Sequence, residues 1–146
     1  MSEFYKLDAN GEAVALPNNG EGTSYLDITE ATVLDFSYSG KNLILKAAEG
    51  AAITLPDVAT SAGAVFKFIT GLAFATTNWT IVSATNVIQG AVIVNSAHVA
   101  GVNENTISFV ATAESIGDYV QLECDGTNWY ITGSGVTTGS ITLTVV

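Results

Sequence analysis

Residues 119–133, Tyr-Val-Gln-Leu-Glu-Cys-Asp-Gly-Thr-Asn-Trp-Tyr-Ile-Thr-Gly, constrain the fold more than any other part of the chain. Val120, Leu122 and Cys124 alternate with Tyr119, Gln121 and Glu123, the period of a half-buried strand. Asp125-Gly126 supplies a turn, because glycine takes φ > 0 at no steric cost. Trp129 and Ile131 then share one face of a return strand, and Tyr130 and Thr132 share the other. The pattern predicts a β-hairpin anchored by Asp125, Gly126 and Trp129, with Tyr119 and Tyr130 on the outer face as candidate partner contacts. It contains neither a nucleophile–base pair nor a metal-ligand set.

Strand signals recur about every ten residues through the rest of the chain. They cover residues 25–28, 33–38, 42–47, 51–55, 64–69, 79–83, 86–94, 106–111 and 140–145. Glycine, asparagine and aspartate punctuate the gaps, and Pro56 closes one strand because it cannot donate to a ladder. No segment carries a helical stripe; residues 55–63 and 111–116 have room for one helical turn each. Without crossover helices a βαβ order fails, and the spacing predicts an all-β, antiparallel β-sandwich of jelly-roll type, with Phe66 and Phe68 joining Val120, Leu122, Trp129 and Ile131 in its core. Residues 1–22 lack a sustained period and are broken at Asn10-Gly11, Pro17 and Asn18-Asn19-Gly20. They read as an extended N-terminal arm with one short strand, in which Phe4, Tyr5, Val14 and Leu16 are the candidate contacts. Residues 23–146 form the sandwich domain. Thr77-Asn-Trp-Thr-Ile81 and Thr127-Asn-Trp-Tyr-Ile131 echo each other, as two related hairpins would.

Charge narrows the partners. The chain of 146 residues has four lysines, no arginine, fourteen acids and a formal net charge of −10. Neutralising phosphates takes Lys and Arg, so nucleic acid is not an expected partner. Charged residues make up only 12% of the chain and apolar ones 48%. No apolar run approaches the ~18 residues of a membrane span, so the apolar surplus is expected to be buried against other protein chains. The acids are spread from Glu3 to Asp125, as on a solvated surface that keeps particles dispersed. The N-terminus lacks the basic and apolar regions of a secretory signal, which predicts synthesis in a cytoplasm.

Isolated residues with chemical potential are better explained structurally. His98 is the only histidine, and no partner spacing suited to a triad or a zinc site surrounds it. Cys124 is the only cysteine and lies on the apolar face of its strand, so it reads as a small buried hydrophobe. Asp125-Gly-Thr-Asn128 and Asp8-Ala-Asn10-Gly11-Glu12 offer oxygens but lack the frame of a calcium loop. No cofactor is expected. Trp79, Tyr119 and Tyr130 are the aromatics suited to stacking on a sugar ring if they are exposed.

Thr54-Leu55-Pro56, the small-residue linker 59–63, Phe66-x-Phe68, the Gln89-Gly90 turn and the closing block from Gly117 to Ile131 occur in an order that resembles a β-domain of tailed-bacteriophage virion proteins. The resemblance covers residues 43–133, and its most specific motif is Asp125-Gly-Thr-Asn-Trp-Tyr130. It implies a non-enzymatic domain, found in capsid decoration (cement) proteins and in tail-fibre segments, that assembles as a homo-oligomer, a trimer first. The chain has no shaft, heptad or collagen-like repeat, which favours a decoration protein on the outer capsid surface of the virion, with the major capsid protein as partner. The alternative is a receptor- or glycan-binding module of a tail or head fibre.

Overall fold

The computed structural model describes residues 5–7, 9–11, 13–15 and 24–146. In the N-terminal segment, strands β1 (Tyr5–Leu7) and β2 (Ala13–Ala15) pair antiparallel, Tyr5 opposite Ala15 and Lys6 opposite Val14. Gly11, at φ +83°, allows the reversal between them. The arm therefore carries a small hairpin rather than a single strand. Phe4 and Leu16 lie outside the described residues.

Twelve further strands follow: β3 (Ser24–Ile28), β4 (Thr32–Val33), β5 (Lys41–Leu45), β6 (Ala52–Thr54), β7 (Val65–Thr70), β8 (Trp79–Val82), β9 (Ile88–Val94), β10 (Ala97–Glu104), β11 (Thr106–Phe109), β12 (Tyr119–Cys124), β13 (Trp129–Gly135) and β14 (Ile141–Thr144). They form a seven-stranded sheet in the order β10-β9-β13-β12-β7-β5-β3 and a five-stranded sheet in the order β14-β11-β8-β6-β4. The architecture is an all-β sandwich. Its core lies between the sheets, where Phe66, Phe68, Val120, Leu122 and Trp129 of the larger meet Ile53, Trp79, Ile81, Ile107 and Phe109 of the smaller; all ten are fully buried. Alternation in burial along β7, β8, β12 and β13 follows the alternation in the sequence.

Pairing departs from the antiparallel jelly-roll expectation, because both sheets are mixed. β3–β5, β5–β7 and β13–β9 run parallel in the larger sheet, and β4–β6 and β6–β8 run parallel in the smaller. Parallel neighbours need a crossover of a dozen or more residues. Here that crossover is a strand of the opposite sheet: β4 lies between β3 and β5, and β6 between β5 and β7. From β3 to β8 the chain switches sheets at every step, and no helix is required.

Two local expectations also change. Residues 33–38 do not form one strand: Asp35 caps a 3-10 turn at Phe36–Tyr38, its Oδ1 accepting from Ser37 N at 2.9 Å. Residues 96–105, which fall between two predicted strands, are largely β10. Asn95 and Ser96 both sit at positive φ, +48° and +65°, and join β9 to β10 through a two-residue turn of the primed type. Residues 58–60 do form the expected single helical turn.

Candidate docking surfaces

The hairpin anchor assembles as its sequence predicts. β12 and β13 pair in register from Tyr119–Ser134 to Cys124–Trp129 around the loop 125–128. Gly126 takes φ +93°. Asp125 organises the loop: its Oδ1 accepts from Thr127 N and Asn128 N, both at 2.8 Å, and its Oδ2 accepts from Tyr130 Oη at 2.7 Å. The backbone N–H of Asn128, the Tyr130 hydroxyl and the N–H of Thr127 hold the Asp125 carboxyl below the usual range of an aspartate. Both oxygens are thus committed to the turn. Trp129 packs on Phe66 with ring centroids 5.4 Å apart.

Trp79, a candidate for sugar stacking, is fully buried in the five-stranded sheet. The repeated T-N-W-x-I words play one local role rather than forming two hairpins. Each tryptophan is the first residue of a strand, β8 or β13, and fills the core from opposite sides. Neither indole Nε1–H has a hydrogen-bond partner.

The outer face of the seven-stranded sheet holds Tyr119 and Tyr130, as parity predicts. Tyr119 is half-buried beneath Lys67, whose Nζ lies 4.7 Å from the ring centroid. Tyr130 is 45% exposed. Gln121 and Lys67 face each other across β12 and β7 on the same surface.

Sequence reasoning missed the free edge of this sheet. β3 pairs with β5 on one side only, so its other side is unpaired among the described residues. Four of its five residues are exposed. Leu26 has the same parity as the buried Ile28, yet it is 36% exposed. Tyr25 (67%), Val33 (74%) and Phe36 (53%) add exposed apolar area close by in the chain. A strand edge with apolar flanks is a template for another chain. The ion pair of Lys46 with Asp27 at 3.7 Å is solvated and covers little of it. The surplus of apolar residues was the available signal; their position at an edge was not readable from spacing.

The remaining candidates disperse. His98 lies exposed on β10, the opposite edge strand. The Cys124 thiol is buried, and desolvation raises its pKa above the usual value. Asp118 is an exception to the solvated acids. It is buried, its Oδ2 accepting from Ser115 N at 2.9 Å and its Oδ1 from Val136 N at 3.0 Å, which ties the loop before β12 to the end of β13. Among the described residues no three His, Cys, Asp or Glu side chains come together as a metal site, and no helix is long and apolar enough to cross a membrane. Comparison with protein-family models, with curated proteins and with solved structures finds no match.

Proposed function

We propose that this chain is a tailed-bacteriophage virion protein that decorates the outer capsid surface and bridges neighbouring major capsid subunits. The observation that carries the reading is the β3 edge, an unpaired strand among the described residues on which Tyr25 and Leu26 are both exposed. A strand from a capsid subunit adds to such an edge through backbone hydrogen bonds, and the apolar flanks fix its register. The hairpin arm, including Tyr5 and Val14, directly precedes this edge in the chain and supplies a second point of attachment. Many modest contacts repeated over a shell bind far more tightly than any one of them. The role is structural, with no cofactor, and the protein is made in the host cytoplasm and resides in the virion as a homo-oligomer, a trimer first.

The test is co-sedimentation with purified undecorated capsids. Full-length protein should bind. Tyr25→Lys/Leu26→Asp and a form lacking residues 1–22 should stay folded and bind at least ten-fold more weakly, about 1.4 kcal/mol per site. Full binding by both variants would refute the use of the edge and arm, and no binding of the full chain to any virion shell would remove the capsid reading.

The second reading, a receptor- or glycan-binding module of a tail or head fibre, is favoured by the exposed Tyr130 ring, which stands opposite Glu123 on the face that also carries Gln121 and Lys67. It predicts a glycan-array signal that disappears in Tyr130→Ala. A blank array for the unmodified protein would dismiss it.

A further inference from the structure

The outer face of the five-stranded sheet has a composition unlike the rest of this acidic chain. Register places Thr144, Thr106, Val82, Thr54 and Val33 in one row across all five strands. Thr142, Ser108, Thr80 and Ala52 form a second row across four. No residue in either row is charged or longer than valine. On the other sheet, the outer face carries Lys67, Glu123 and Asp27. A hollow of about 430 Å³ opens on the small-residue face over β8 and β11, lined by Thr80, Val82, Thr106, Ser108, Asn105 and Val146.

We propose that this face is a self-association surface and that its occupant is a second copy of the same chain. The argument is electrostatic. Two copies carry a formal charge of −10 each, so contacts through carboxylate-bearing surfaces are opposed by like charge. Neither row holds a carboxylate side chain. A basic partner would be drawn instead to the acidic surfaces. Small side chains let two sheets approach to the ~10 Å of a sandwich core. Val33 stands at one end of the first row, 74% exposed, and the hollow lies about two to three strand spacings away, roughly 12 Å. A twofold axis parallel to the strands and midway between them sets the Val33 of each copy against the hollow of the other.

The face measures roughly 24 by 13 Å, well below the ~800 Å² per partner of a standard stable complex. Association through it is therefore weak and reversible. The inference rests on the homo-oligomeric part of the reading above, with a twofold pair in place of the trimer, and not on capsid binding. Purified chain alone tests it, so its failure leaves the capsid experiment unaffected.

Sedimentation equilibrium between about 10 µM and about 1 mM, the range of weak complexes, should show mass rising towards two chains and no further. Association should tighten from about 0.01 M to 0.15 M salt, because screening removes the repulsion between like-charged copies. Thr54→Glu, at an exposed position of the first row, should weaken association at least ten-fold with an unchanged melting temperature; Thr80→Glu in the second row provides an independent check. A chain that stays monomeric at the highest concentration, association that loosens with salt, or variants that associate like the parent would each overturn the proposal.

Discussion

Trp129→Ala probes the anchor on which the closing hairpin depends. The ring is fully buried and packs on Phe66 at 5.4 Å. Removing it to the β-carbon forfeits roughly 200 Å² of buried apolar surface, about 5 kcal/mol at 25 cal/mol/Å². Its Nε1–H is buried with no partner, and deleting that group returns roughly 1–2 kcal/mol of desolvation cost. The cavity left behind acts in the opposite direction, so the net loss is about 3–5 kcal/mol. That is a large share of the 5–15 kcal/mol typical of a domain. Trp129→Phe separates the two contributions. It retains most of the ring contact and removes the unpartnered donor, so it should cost about 1 kcal/mol or less. Urea unfolding followed by Trp79 fluorescence suits both variants, since Trp79 remains buried in the opposite sheet; midpoints should fall with the slope m unchanged. A loss below about 1 kcal/mol for alanine, or equal losses for alanine and phenylalanine, would refute this account.

Two further substitutions test close approach and charge. A β-carbon on Gly133 would lie 2.4 Å from the Tyr119 carbonyl oxygen, whereas one on Gly101 would meet only the mobile end of Leu143 at 2.8 Å; Gly133→Ala should therefore cost about 1–3 kcal/mol and Gly101→Ala less than about 1, and equal midpoints in urea would contradict the distinction. Asp125 has a folded pKa below its ordinary value of 3.8, so its stabilisation is present above that value and is lost as pH falls through the depressed one. The gap in urea midpoint between the parent and Asp125→Ala should be largest near neutrality and close in acid, and a gap that is constant or widens on acidification would show that the carboxylate's charge has no part in the turn.

How much of this was legible in the sequence depends on the distance over which each feature is decided. Alternation at Val120, Leu122 and Cys124 fixed both the existence of β12 and the face each residue takes, because period two is a local property. The outward placement of Tyr119 and Tyr130 followed from the same parity. Pairing partners were not local: a strand of the opposite sheet replaced the crossover helix that parallel pairing ordinarily uses, and nothing in the spacing announces which sheet a strand will join. β10 was missed because its pattern is mostly exposed, with Gly101 alone buried. Asp35 ended β4 early through a side-chain cap, an option the apolar run 33–38 concealed. Trp79 and Trp129 sit in near-identical words, yet only the fold shows that both are core. The β3 edge was the least readable, since Tyr25 and Leu26 have the composition of an interior strand, and no spacing announces that β3 pairs on one side only among the described residues or that Leu26, of the same parity as Ile28, stays partly uncovered.

The step-by-step exchange between layers from β3 to β8 has a kinetic consequence. Between β3 and β8 neither layer has a contiguous block of chain with which to form first, and most contacts of the fold close long loops, which places such a topology among the slow, millisecond-to-second folders. Hydrogen exchange should find the amides of β5, β6, β7 and β8 opening together with one common free energy, rather than one layer peeling from the other. A molecule wound in this way has no half-dismantled form to populate.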